Sequence, residues 1–129
     1  MGLAAPKWSN HCTVHANKRE DVAMLFELRQ YRVYPGQRDR WVKFMEEVII
    51  PFQVSKGMVV VGSFVADEDP DAYVWIRRFE NEDEREQLYE AVYESDHWKN
   101  EIAPRVSEML DRPQMVITRL QPTPRSVIH

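Results

Sequence analysis

Cysteine is nearly absent. Cys12 stands alone among 129 residues, which excludes an intramolecular disulfide and fits a reducing cytoplasm. No apolar run reaches the roughly 18 residues of a membrane span, so no span is expected. Residues 1–10 lack a charged segment leading into an apolar one, so no signal peptide is expected either. Basic residues are outnumbered, with 17 Lys and Arg against 21 Asp and Glu and a net charge of −4. That balance argues against nonspecific nucleic-acid binding, which needs a basic face to neutralise phosphates. No Gly-rich phosphate loop, nucleophile elbow or CxxC pair occurs, so serine or cysteine nucleophilic catalysis is not expected. Apolar residues, by contrast, make up 43% of the chain, with four Trp, five Tyr and five Phe. One domain with a single core fits that length and content.

Residues 1–22 read as an extension, expected to be flexible, because polar residues and proline break every apolar period. A strand of mixed character is predicted over about 24–34, ending at Pro35-Gly36. An amphipathic helix over about 36–50 follows, its buried stripe carrying Trp41, Phe44, Met45, Val48 and Ile49. Pro51 is expected to kink or end it, and Gly57 to terminate the segment beyond. Met58 to Ala66 reads as a second strand, with a bulge or a close backbone approach at Gly62. The acidic turn Asp67-Glu68-Asp69-Pro70-Asp71 leads into a third strand over 73–79. Asn81 with Glu84 three residues on caps a second helix, with Leu88, Ala91, Val92 and Ser95 expected on its buried side. Helix restarts near Asp96, with Trp98, Ile102, Val106, Met109 and Leu110 in the core and Pro104 interrupting. A last strand covers 114–120, and a tail follows from 123 to 129.

The order βαββαβ is the ferredoxin-like split βαβ arrangement, an α+β fold with a four-stranded antiparallel sheet. Helices on one face leave the other uncovered, and an exposed apolar sheet face usually finds a partner. The uncovered face is expected to carry Trp75, Arg77 and several valines, and two such faces closing on each other would make a dimeric α+β barrel.

Five short stretches carry a family resemblance: Glu27-Leu28-Arg29-Gln30-Tyr31 ahead of Pro35-Gly36, Val48-Ile49-Ile50-Pro51, Val61-Gly62-Ser63-Phe64, Val74-Trp75-Ile76-Arg77-Arg78-Phe79 and Ser95-Asp96-His97-Trp98-Lys99. Together, over about 25–122, they resemble the NIPSNAP family of dimeric α+β barrels. The resemblance implies a homodimer. It also places the domain near barrels that include cofactor-independent monooxygenases, isomerases, polyketide cyclases and haem-binding enzymes.

Arg29, Tyr31, Trp75 and Arg77 form the leading candidate site, because the first and third strands are neighbours in this fold. On a cavity-facing surface, two guanidiniums and two rings suit a planar anionic ligand. Phe64 joins Arg29 and Trp75 as ligand-binding, while Arg77, Tyr31 and His97 are the catalytic candidates. Arginine would stabilise an oxyanion, and Tyr31 or His97 would move a proton. The structural alternative is arginines bridging a dimer interface to Glu27 or another carboxylate. A haem reading needs an axial ligand facing the pocket, which His97 would have to supply. His11-Cys12-Thr13-Val14-His15 holds three potential metal ligands in an unsupported segment, so no metal site is expected there. No cofactor is expected. The residues leave two functions open: a cofactor-independent enzyme on an aromatic or polyketide-like molecule, or a noncatalytic binding or accessory protein.

Overall fold

A computed structural model describes residues 23–129. The extension over 1–22, with His11, Cys12 and His15, lies outside the described residues. Four strands, β1 (Leu25–Arg32), β2 (Val59–Val65), β3 (Ala72–Phe79) and β4 (Val116–Leu120), form one antiparallel sheet in the order β2-β3-β1-β4. Among the described residues, all helices pack on one face. The fold is the expected α+β ferredoxin-like one.

The first helical segment is α1 (Arg38–Phe44), a π turn (Met45–Ile49) and α2 (Ile50–Ser55) in sequence. Pro51 does not end this helix. Instead the π turn just before it closes with an i→i−5 bond from Ile50 N–H to the Met45 carbonyl. The second helical segment repeats the device. After α3 (Glu82–Tyr93) come a π turn (Trp98–Ile102) and α4 (Ala103–Met109), with Ala103 N–H donating to the Trp98 carbonyl just ahead of Pro104. A proline lacks the N–H of an α-helical bond and its ring crowds the preceding turn, and widening that turn relieves both. Asn81 caps α3 by accepting from Glu84 N–H at 2.8 Å. A 3₁₀ turn (Arg112–Gln114) takes the start of the last predicted strand.

The register decides which side chains lie under the helices. β1 and β3 pair Glu27 with Arg77 and Arg29 with Trp75, and β2 slips register between Val60 and Gly62, where the bulge was expected. Leu25, Glu27, Arg29, Tyr31 and Tyr73, Trp75, Arg77, Phe79 are buried on the helix side. The open face carries Val59, Phe64, Val74, Ile76, Val116 and Leu120 instead. Trp75 and Arg77 are therefore not on the uncovered face. Strand alternation was read correctly, but the helix-side face is the polar one, against the usual pattern. Residues of the C-terminal segment, Pro122 and Ile128 among them, line a cavity of about 330 Å³ with Phe26 and Ile76 on the open side.

Gly57 stops α2 at φ +109°, where a Cβ would also meet Leu88 Cδ2 at 3.2 Å. Gly57→Ala is expected to cost roughly 1–2 kcal/mol, the penalty of a left-handed backbone for a residue with a side chain. The shift of the urea midpoint measures it, and no shift would mean the turn relaxes freely.

Candidate functional site

The site is built from odd-numbered residues of β1 and β3 and from the inner side of α3. Arg77 donates to Glu27 Oε1 at 2.7 Å and Tyr89 Oη at 3.0 Å through Nη2, and to Gln53 Oε1 at 2.7 Å and Tyr93 Oη at 2.8 Å through Nη1. Arg29 donates from Nε to Tyr31 Oη at 2.7 Å and from Nη1 to Tyr89 Oη at 3.1 Å. Tyr89 in turn donates to Glu27 Oε2 at 2.5 Å. Arg85 lies 3.6 Å from Glu27 and pairs with Glu82, which Arg119 also reaches. The Arg77 guanidinium sits over the Trp75 ring at 5.0 Å and the Tyr89 ring at 5.1 Å, which spreads its charge over aromatic faces.

The electrostatics are unusual for a core. Among the described residues, the buried arginines are Arg29, Arg77 and Arg85 and the buried glutamates are Glu27 and Glu82, so three positive charges meet two negative ones and one positive charge is left over. Burial pushes the Glu27 carboxyl up, but Arg77 and Arg29 outweigh it and hold the group at about 2. Burial raises Tyr31 and Tyr89 above the usual phenol range, so both stay protonated.

This network backs onto a cavity between sheet and helices of about 10 Å³, room for a single water. Its walls are aromatic and apolar. Tyr31, Gln53, Tyr93 and Met115 line it with Trp41, Trp75 and Trp98. The arginines stand one layer behind and fix the polar tips that reach the wall. On the helix side the wall includes Met45 and Ile49 of one π turn and Trp98 of the other.

The candidate residues divide cleanly. Arg29, Tyr31, Trp75 and Arg77 come together, within one chain and under the helices. Glu27 pairs with both arginines inside that chain. Phe64 is on the opposite face of the sheet with 52% of its surface exposed. His97 is at the surface, its ring 4.9 Å from that of Phe52 and its Nδ1 3.9 Å from Glu101, away from the cavity. It offers the cavity neither a proton-transfer group nor an axial ligand. Among the described residues, no three His, Cys, Asp or Glu side chains converge on a metal position. Tyr89, Tyr93, Gln53 and Arg85 were missed by the sequence reading. The expected inner side of α3 included Ala91, which is exposed, whereas Glu82, Arg85, Tyr89, Val92 and Tyr93 are buried. Their i, i+3, i+7 spacing was present, but two charged members hid the stripe from a search for apolar residues.

The NIPSNAP family model matches residues 26–125, nearly the whole described domain. The chain belongs to the NIPSNAP family. A NIPSNAP family protein of Agrobacterium tumefaciens superposes with a TM-score of 0.71 at 24% identity, covering 88% of this chain and 95% of that one. A second NIPSNAP family protein from the same bacterium, of unknown function, gives 0.74 at 21% identity over 90% of this chain and 100% of its own. A NIPSNAP-like domain protein of Burkholderia xenovorans gives 0.73 at 21% identity, over 81% and 90%. At such identities these likenesses show the shared fold. No curated protein matches the chain. Among the described residues, no helix of this NIPSNAP domain is long and apolar enough to cross a membrane.

Proposed function

We propose that this NIPSNAP chain is a homodimeric small-molecule-binding protein of the cytoplasm, with its ligand site in the sheet–helix cavity. The observation that carries the reading is the surplus positive charge of the Arg29–Arg77–Arg85 network, held directly behind an enclosed aromatic wall. Three buried guanidiniums share two carboxylates, so the network is net positive, and a site of this kind favours a ligand that brings negative charge. Catalysis by proton transfer needs a group that titrates near neutral pH within reach of the substrate. Glu27 and Tyr31 are shifted in opposite directions away from neutrality, and His97 is elsewhere. The arrangement therefore favours noncatalytic binding over a cofactor-independent monooxygenase, isomerase or cyclase.

A ring-sized ligand needs more room than one water occupies. The two π turns, which carry Met45, Ile49 and Trp98 into the wall, are the part that must move to admit one. Native mass spectrometry of protein purified without added ligand tests the proposal. Two chains plus a retained small molecule is the expected result. Ligand-free protein that also takes up no small molecule from a library would overturn it.

The second copy is expected on the open sheet face, where Val59, Phe64 and Val116 are each about half exposed. Phe64→Glu places a charge in that patch. It is expected to weaken the dimer by about 100-fold, equivalent to roughly 3 kcal/mol for an aromatic anchor. Sedimentation velocity reads the change, and a wild-type protein that is monomeric at every concentration would sink the dimer.

A further inference from the structure

The spare hydrogen-bonding capacity around the cavity is of one kind. Trp41 and Trp75 both line it, both are buried, and neither indole N–H has an acceptor among the described residues. The Tyr31 hydroxyl oxygen accepts from Arg29, and its own proton has no acceptor among the described residues. The Tyr93 hydroxyl oxygen accepts from Arg77 and, at 3.4 Å, from Gln53, which occupies both lone pairs and leaves its proton as the free group. Among the described residues, four donors on four lining side chains thus lack acceptors, where natural interiors leave few such groups. Arg77 Nε, just behind the wall, is a fifth.

A single water can accept at most two of these bonds. A negatively charged oxygen accepts more, and bonds to a charged acceptor are roughly twice as strong as neutral ones. The arginines polarise the tyrosine hydroxyls by donating to them, which makes each a better donor toward the cavity. We infer that the cavity selects the anionic oxygen of its ligand, a phenolate, enolate or carboxylate, and binds that conjugate base in preference to the neutral acid or its ether. This rests on the binding function proposed above and names the chemistry of its ligand.

The charged and titratable groups facing that oxygen are few. β1 supplies Glu27, Arg29 and Tyr31, and β3 supplies Arg77. The α3 helix supplies Arg85, Tyr89 and Tyr93, with Glu82 at its start answered by Arg85 and Arg119. The two π turns and the segments before and after them present uncharged side chains, Trp41, Gln53, Trp98 and Val106 among them. The nearest carboxylate, Glu27, is already engaged by Arg77 and Tyr89 and faces away behind them. The sum favours a bound anion.

The test uses 4-nitrophenol, whose ionised form has its own visible absorption band, and its methyl ether 4-nitroanisole, which cannot ionise. Both are titrated into the full chain at a pH where free 4-nitrophenol is mostly neutral. The expected result is a phenolate band on binding and at least tenfold weaker binding of the ether. Equal affinity for both, or a bound probe that stays neutral, overturns the anion selectivity while leaving the cavity as a ligand site. Failure of both to bind by calorimetry overturns the ligand site and this inference with it. Trp75→Phe and Trp41→Phe each remove one donor while keeping an aromatic ring. Each is expected to cut the preference for phenolate over ether about tenfold, the loss of one charge-assisted hydrogen bond. An unchanged ratio in both folded variants would show that the indoles do not touch the anion.

Discussion

Glu27→Gln is expected to destabilise the protein by about 3–5 kcal/mol, the usual cost of breaking a buried ion pair by removing one member. Glu27 is the carboxylate against which Arg77 makes its 2.7 Å contact, with Arg29 at 3.5 Å. Glutamine keeps the shape and removes the charge, so the buried surplus rises from one positive charge to two. It also turns one acceptor oxygen into a donor that faces guanidinium or phenol protons. Urea unfolding followed by tryptophan fluorescence measures the loss, and an unchanged m-value would confirm that the native state stays compact. A loss below about 1 kcal/mol would show that something other than Glu27 neutralises the arginines. Arg77→Met in the same chain removes the charge that Glu27 answers. The double variant is therefore expected to lose less than the two single losses combined, because the sites share one network.

Acid is expected to remove the same stabilisation gradually. The Glu27 carboxyl lies at about 2 in the fold against an ordinary 4.5. Above about pH 4.5 it is ionised in both folded and unfolded chains, and its full contribution is present. As pH falls below that, the unfolded chain takes up the proton first, so stability declines, and the loss is complete only below about pH 2. The whole span is worth roughly 3 kcal/mol for this group. Glu82, also lowered by Arg85 and Arg119, adds a loss of the same sign. Unfolding measured through that window should show wild type and Glu27→Gln converging as pH drops. Parallel curves would mean Glu27 is not the ionised partner.

The same geometry explains why the sequence alone brings the four strand candidates together and misjudges their side of the sheet. Arg29, Tyr31, Trp75 and Arg77 alternate on neighbouring strands, so their meeting follows from strand period and the βαββαβ order. Which face the helices cover depends on free energy summed over the whole core. With Trp75 and Arg77 expected on the uncovered face, the apolar Val74 and Ile76 pair was left for the buried one. In the fold, the tyrosines of α3 satisfy the arginines at close range, and that makes the polar face coverable.

Period, caps and prolines were local and therefore readable. Asn81 caps as its spacing implied, Gly57 ends a helix, and Gly62 marks the bulge. Pro51 and Pro104 were also correctly seen as disturbances, but whether a proline stops a helix or widens one turn depends on what the next turn buries. Gln53 and Val106, beyond the two prolines, are buried against the sheet, and that packing keeps each helix going. The amino-acid sequence by itself determined the family, through the five stretches that resemble NIPSNAP domains, and the order of elements, because elements rest on short-range periodicity. Tertiary structure alone decided the donor-lined cavity and its surplus charge, because both depend on burial, and burial belongs to the assembled layers of helix and sheet.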